Sequence, residues 1–149
     1  MIKHIRNKTI MKAEISHQIN DIIFQCFYKK IDTQGIDYFL SNCDTYIMFQ
    51  NMKIIALVQV EYETSRRFWL QHVCTHPTYR RRGYMKLLLS YVLLDIKIRY
   101  PKLKEVRLEV EKDLKGAQKL YKLIGFQLKK WTHHRTAIMY YKWKLGSHL

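Results

Sequence analysis

"VCTHPTYRRRGYMKLLL", residues Val73 to Leu89, carries an apolar strand into an apolar helix through a basic turn that holds one glycine. The strand is "RFWLQHVCT" (Arg67–Thr75), the loop is "HPTYRR", and the helix is predicted from Arg82 to Tyr100, ending before Pro101. A helix that starts at the C-terminal edge of a strand aims unpaired N–H groups and the positive end of its dipole at whatever lies there. Gly83 lets a ligand come close to the backbone. Arg80, Arg81 and Arg82 add guanidinium groups, which suit phosphate oxygens. The stretch therefore reads as a pyrophosphate site. It is not a Walker A loop, which needs a second glycine and Gly-Lys-Ser/Thr, nor a Rossmann fingerprint, which needs three glycines. A surface basic run or a nuclear-localisation string is the alternative, but neither is ordinarily fused to a strand on one side and an apolar helix on the other.

Working outward, "EVRLEVE" (Glu105–Glu111) alternates as a strand, and "KGAQKLYKLIGF" (Lys115–Phe126) reads as a helix stopped by Gly125. Two strands follow, Gln127–Trp131 and Thr136–Lys144. On the other side, Ala13–Lys30 places Ile15, Ile19, Ile22, Ile23, Cys26 and Phe27 on one helical stripe. A short helix is expected near Ile36–Leu40. "YIMFQ" (Tyr46–Gln50) and "IIALVQVEYE" (Ile54–Glu63) form a hairpin across the polar "NMK" turn, and "TSRR" turns into the strand that ends at Thr75. No repeat, low-complexity tract or linker divides the chain. The prediction is one α/β (α+β) domain over residues 1–149, a mixed, mostly antiparallel sheet of six to seven strands flanked by helices.

The composition fits a folded globule, with 48% hydrophobic and 13% aromatic residues. No apolar run is long enough to span a bilayer and the N-terminus lacks a secretory h-region, so no membrane partner and a cytoplasmic location are expected. Three cysteines, Cys26, Cys43 and Cys74, are odd in number and suit free thiols in a reducing compartment. The net charge is +15, unevenly placed: residues 1–75 hold 9 Lys/Arg against 7 Asp/Glu, and residues 76–149 hold 18 against 5. The second half attracts a polyanion, either nucleic acid or a phosphorylated cofactor, and the overall sign disfavours a polycationic acceptor.

The two blocks "VCTHPTYRRRGYMKLLL" and "LEVEKDLKGAQKLYKLIGF" resemble the core motifs of the GCN5-related N-acetyltransferases. Arg80-x-x-Gly83-x-Met85 is similar to that family's Gln/Arg-x-x-Gly-x-Gly/Ala, departing at Met85. Ala117, Leu120, Tyr121, Gly125 and Phe126 match its Ala-x-x-Leu-Tyr-x-x-x-Gly-Phe. The blocks span residues 73–126, and residues 105–126 are most similar to the ribosomal-protein N-terminal acetyltransferases. Leu114 stands where many members carry an asparagine that contacts the cofactor.

The resemblance implies two central strands that splay, with acetyl-CoA as acyl donor in the gap and no metal. Backbone groups of Val73 and Thr75 would meet the pantetheine, and Arg80, Arg81, Arg82, Gly83, Tyr84, Met85 and Lys86 would hold the pyrophosphate. An amide near Val73 would polarise the thioester carbonyl. An amine acceptor of unknown identity (protein N-terminus, lysine or small molecule) would attack directly in a ternary complex. Tyr121 would be the general acid and Glu109 the base. Glu61 and Glu63 are weaker carboxylate candidates, and the strand before the loop offers Trp69 or His72 but no carboxylate. The protein would be a monomer or, as is common in the family, a homodimer.

Two other arrangements are weighed. His72, Cys74 and His76 at i, i+2, i+4 would share one face of a regular strand as metal ligands do, yet no fourth ligand accompanies them. A basic nucleic-acid-binding module without activity is the alternative class; it is not expected, because the aromatic strand pattern of single-strand binders is not evident.

Overall fold

The computed structural model describes residues 1–5, 13–27 and 42–143. In chain order these form β1 (Ile2–Ile5), α1 (Ala13–Phe27), β2 (Cys43–Gln50), β3 (Lys53–Thr64), β4 (Arg67–Thr75), a short 3-10 turn (Pro77–Tyr79), α2 (Tyr84–Arg99), β5 (Glu105–Glu111), α3 (Lys115–Ile124), β6 (Gln127–Trp131) and β7 (Thr136–Lys142). The strands make one seven-stranded sheet in the order β1-β2-β3-β4-β5-β7-β6. Every neighbouring pair is antiparallel except β4 and β5, which α2 joins as a crossover.

Most expected elements stand where they were predicted. Strand β1 was not expected: only Ile2 and Ile5 of its four residues are aliphatic, and it is a strand because it pairs along β2 from Ile2–Met48 to Ile5–Thr45. Strand β2 begins at Cys43 rather than Tyr46, where polar Asp44 and Thr45 hid it. The helix after the basic turn begins at Tyr84, two residues later than predicted, because Gly83 takes a left-handed φ of 80°. The helix expected at Ile36–Leu40, and residues 28–30 of the first predicted helix, lie outside the described residues.

The sheet is covered on both faces. On one, Phe68, Leu70, Val106, Leu108, Val110 and Met139 pack under Leu88, Leu89, Val92 and Ile96 of α2 and Tyr121 of α3. On the other, Ile19, Ile22 and Ile23 of α1 pack on Ile47, Ile54, Leu57 and Cys74. Each aliphatic side chain buried this way contributes roughly 1.5–3 kcal/mol before chain entropy is counted.

One irregularity positions the site. Strands β4 and β5 pair over four residues, from Arg67–Glu105 to Leu70–Leu108, and part beyond that point. Strand β4 stays on β3, but Leu57 faces Cys74 while Gln59 faces Gln71, so β4 carries an extra residue. His72, with φ 47°, lies in this bulge. A bulge adds twist and inverts the alternation of side chains beyond it. Phe68, Leu70 and then Val73 face the α2/α3 core, and Cys74 turns to the α1 side.

Helix α3 is stopped by Gly125 at φ 124°, and the Phe126 amide donates to the Tyr121 carbonyl at 2.9 Å. A Cβ on Gly125 would sit 3.0 Å from the Tyr141 ring. Gly125→Ala is expected to lower stability by about 1–3 kcal/mol, read as the urea unfolding midpoint. An unchanged midpoint would mean that neither the backbone angle nor the Tyr141 contact constrains this stop.

Candidate active site

The basic turn is built from local bonds. The His76 ring Nδ1 accepts from the Thr78 amide at 3.2 Å, and the Tyr79 amide donates to the His76 carbonyl at 2.8 Å. The chain then passes through Arg81 (φ 62°) and Gly83 (φ 80°), both left-handed, before α2 begins. Gly83 caps the helix without a side-chain bond, and the first turn holds no acidic residue. A Cβ at Gly83 would meet nothing within 4 Å, so open space lies directly over the helix start. The first-turn amides and the positive end of the helix are thus left for an external anion.

Cations ring that space. Arg81, Arg82 and Lys86 are exposed. The Arg82 guanidinium lies 5.5 Å from the Tyr79 ring centre, and the Lys53 ammonium 5.9 Å from the same ring. Arg80 folds back, its Nε donating to the Thr75 carbonyl at 3.2 Å. Tyr84 is half-buried, its ring 6.4 Å from that of Tyr79. The Met85 side chain is buried in the core with Leu88 and Leu89, and its backbone belongs to the first turn of α2.

Below the turn, the β4 edge that faces β5 has no strand partner from Gln71 to Thr75 among the described residues. Val73 and Thr75 both lie on this edge. Tyr121 reaches the sheet from the α3 side, buried at 6% exposure and 5.8 Å from the Phe126 ring. Its hydroxyl makes no hydrogen bond among the described residues. Burial, and secondarily the Cys74 thiol, raise the Tyr121 phenol above its ordinary value, so it stays protonated at neutral pH. Leu114 is the α3 N-cap with an exposed side chain and no side-chain cap bond. The polar job nearby falls to Gln118, whose Nε2 donates to the Glu111 and Lys112 carbonyls at 3.0 and 2.8 Å.

The opposite face carries Glu109, exposed and accepting from the Thr136 hydroxyl. It is the first residue of β5 on that face beyond the last pairing with β4. Glu61, Glu63, Glu105 and Glu111 share the face. Glu63 and Glu105 pair with Arg67 and Arg107, and Glu61 accepts from Gln71 at 3.0 Å. A chain that is basic overall therefore shows carboxylates here. Trp69, named with His72 as an offering of the same strand, donates its indole N–H to Glu63 at 2.9 Å.

Sequence reasoning missed the bulge, and with it the surroundings of His72. The His72 Nδ1 and Gln59 Oε1 are 2.7 Å apart, and Gln59 Nε2 donates to the Thr45 hydroxyl at 3.2 Å. With the amide so oriented, the Nδ1–H donates to the Gln59 carbonyl oxygen. The Phe27 ring packs 5.9 Å away. The expected His72, Cys74 and His76 alignment does not occur: the bulge separates His72 from Cys74, and His76 is spent on the turn. Among the described residues no group of three or more His, Cys, Asp and Glu side chains is placed to hold a metal ion. Likewise, among them no helix is long and apolar enough to cross a membrane.

The sequence model of the acetyltransferase (GNAT) family matches residues 16–126. No curated protein matches the chain in sequence. Among solved structures, the fold is similar to the ribosomal-protein-S18-alanine N-acetyltransferase from Escherichia coli, with TM-score 0.76 and 16% identity over 95% of this chain and 94% of that one. It is similar to a GNAT family acetyltransferase from Elizabethkingia anophelis with acetyl-CoA bound, with TM-score 0.74 and 14% identity over 96% and 97%. NAA60 from Arabidopsis thaliana, in complex with a bisubstrate analogue, gives TM-score 0.76 and 13% identity over 95% and 98%. At these identities the likeness is one of fold.

Three phenols, Tyr46 and Tyr121 buried and Tyr62 half-buried, give the fold an alkaline limit. Burial raises Tyr46, Tyr62 and Tyr121 above their ordinary values, with Asp95 adding to Tyr46 and Asp44 to Tyr62. The unfolded chain releases these protons near pH 10, where the native one holds them. Their contribution to stability is complete below about pH 10 and is lost as pH rises further. The thermal midpoint should fall as pH rises above about 10, less steeply in Tyr121→Phe. Equal slopes in the two proteins would place Tyr121 in a wetter site than this one.

Proposed function

Since the chain belongs to the acetyltransferase (GNAT) family, we propose that it transfers the acetyl group of acetyl-CoA to a primary amine by direct attack in a ternary complex. The observation that carries this is the parting of β4 and β5, closed at its upper end by the uncapped, cation-ringed start of α2. The amides of Arg81 to Lys86 hold the pyrophosphate, with Arg80, Arg81, Arg82 and Lys86 supplying charge. The free edge of β4 at Val73 and Thr75 pairs with the pantetheine amides, and a backbone N–H near Val73 polarises the thioester carbonyl.

The amine approaches from the carboxylate-bearing face. Glu109 receives its ammonium and takes the proton, after which the nitrogen lone pair forms the C–N bond. The C–S bond breaks toward the α3 side, where Tyr121 gives its proton to the departing sulfur; the nitrogen's second proton is released as the amide forms and Tyr121 takes up a proton in exchange. Acid and base thus stand on opposite faces of the sheet with the thioester between them. The acidic character of the acceptor face supports a cationic amine and outweighs, locally, the positive sign of the whole chain.

Thermal unfolding with acetyl-CoA, CoA and ATP tests the reading. Both CoA species should raise the midpoint and ATP should raise it little, because ligand binding adds about RT ln(1 + [L]/Kd) to stability. A shift caused by DNA or RNA, abolished by salt and indifferent to acetyl-CoA, would favour the nucleic-acid module instead. Gly83→Glu sets bulk and negative charge over the helix start and should abolish acetyl-CoA binding in calorimetry; micromolar binding retained would remove the loop from the site. Tyr121→Phe should keep donor affinity and lose on the order of 10²-fold in turnover. Glu109→Gln should behave in the same way. If His72→Asn removes turnover while Glu109→Gln does not, the base is on β4.

A further inference from the structure

Two thiols meet beside the donor loop. Cys26, in the last turn of α1, donates its Sγ–H to the Thr75 carbonyl at 3.2 Å, the same oxygen that Arg80 Nε engages at 3.2 Å. Cys74, the residue before Thr75, is buried at 5% exposure in the cluster against which Cys26 packs. The two side chains pack together in that cluster, close enough for each thiol to shift the titration of the other. The bulge at His72 makes this pairing, because a regular β4 would turn Cys74 toward α2 and α3. Cys26 is half-buried and reachable from solvent. Cys43, the third cysteine, is buried at 1% on β2, facing Glu61 across the ladder.

We propose that Cys26 and Cys74 are an oxidation site for hydrogen peroxide, which closes them into a disulfide that ties α1 to the end of β4. Thiolate Cys26 attacks one peroxide oxygen: the S–O bond forms, the O–O bond breaks, and hydroxide leaves and is protonated to water. The Cys74 sulfur then attacks the Cys26 sulfenic acid, the S–S bond forms, and a second water departs with the Cys74 proton. Two electrons pass from the two thiols to one peroxide.

The electrostatics agree with this division of labour. The neighbouring Cys74 thiol, joined by Arg80 and opposed by partial burial, lowers the Cys26 pKa below the ordinary thiol value, while burial raises Cys74. Burial, with Glu61 and Asp44, pushes Cys43 up to about 12, which leaves it inert.

The device is coupled to the donor through Arg80, and this coupling rests on the proposed function. A pyrophosphate that engages the Arg80 guanidinium withdraws it from the thiolate, so donor binding protects Cys26. The disulfide in turn removes the Cys26 bond to Thr75 at the edge proposed for the pantetheine.

The experiment treats the whole protein with hydrogen peroxide, with and without acetyl-CoA, and reads intact mass and proteolytic fragments. The expected result is a loss of two hydrogen atoms and one fragment pair linked through Cys26 and Cys74, formed several-fold more slowly with acetyl-CoA. Cys74→Ser should stop at a sulfenic acid on Cys26 that dimedone traps, and Cys26→Ser should leave Cys74 reduced. A linkage through Cys43, oxygen addition to wild-type Cys26 without linkage, or three unreacted thiols overturns the proposal. Thermal shifts with acetyl-CoA on the same samples separate the two ideas. A linked pair in a protein that acetyl-CoA stabilises but does not protect overturns the coupling alone. A linked pair in a protein that acetyl-CoA does not stabilise counts against the donor site and leaves the dithiol standing.

Discussion

Everything at the site depends on where two parallel strands stop pairing. Strands β4 and β5 hold together from Arg67–Glu105 to Leu70–Leu108 and no further, because β4 bulges at His72 and twists away along β3. A parallel pair inside a sheet ordinarily satisfies its backbone along its whole length. Here an edge is opened in the middle of the sheet, and the open backbone invites an extended ligand to act as a partial strand. The same residue that opens the edge also sorts the side chains: Val73 toward the α2/α3 core, Cys74 toward α1, and His72 beside Gln59.

The open edge has a direction because of what lies at its end. Strand β4 runs out into a turn whose two left-handed residues, Arg81 and Gly83, deliver α2 with its first amides uncapped. The helix dipole, the surrounding guanidinium groups and the missing Cβ at Gly83 all favour one occupant, a multiply charged anion. An anion at the top and an extended chain below together describe a long phosphorylated cofactor better than either feature does alone. Tyr121 lies on one face of the sheet and the carboxylates of β3 and β5 on the other, which is the arrangement the proposed division between leaving group and nucleophile rests on.

Much of this was legible in the sequence, for physical reasons. Helices α2 and α3 announce themselves by apolar spacing that must be buried, and the Gly125 stop is a local backbone requirement. The "YRRRGYM" stretch is readable because charge, glycine and helix start are adjacent in the chain. The side of the sheet on which Glu109 faces follows from alternation alone. Other features are long-range and leave no local mark. Strand β1 exists only because β2 offers an edge. The bulge at His72 is set by how β4 is drawn across β3, so a regular alternation wrongly aligned His72 with Cys74. The Cys26–Cys74 meeting joins residues far apart in the chain, and the inward turn of Met85 depends on the packing of α2. The carboxylates gathered on one face of β3 and β5 were hidden under a net charge that averages over the whole surface.

Amide hydrogen exchange, resolved by segment with and without acetyl-CoA, puts the central claim to its most direct test. The account predicts that acetyl-CoA slows exchange at Val73–Thr75 and at Arg81–Lys86, the free strand edge and the uncapped helix start, and leaves the β1–β2 edge unchanged. Protection confined to other segments, or none under conditions where the protein is saturated with donor, would contradict a donor site between β4 and β5.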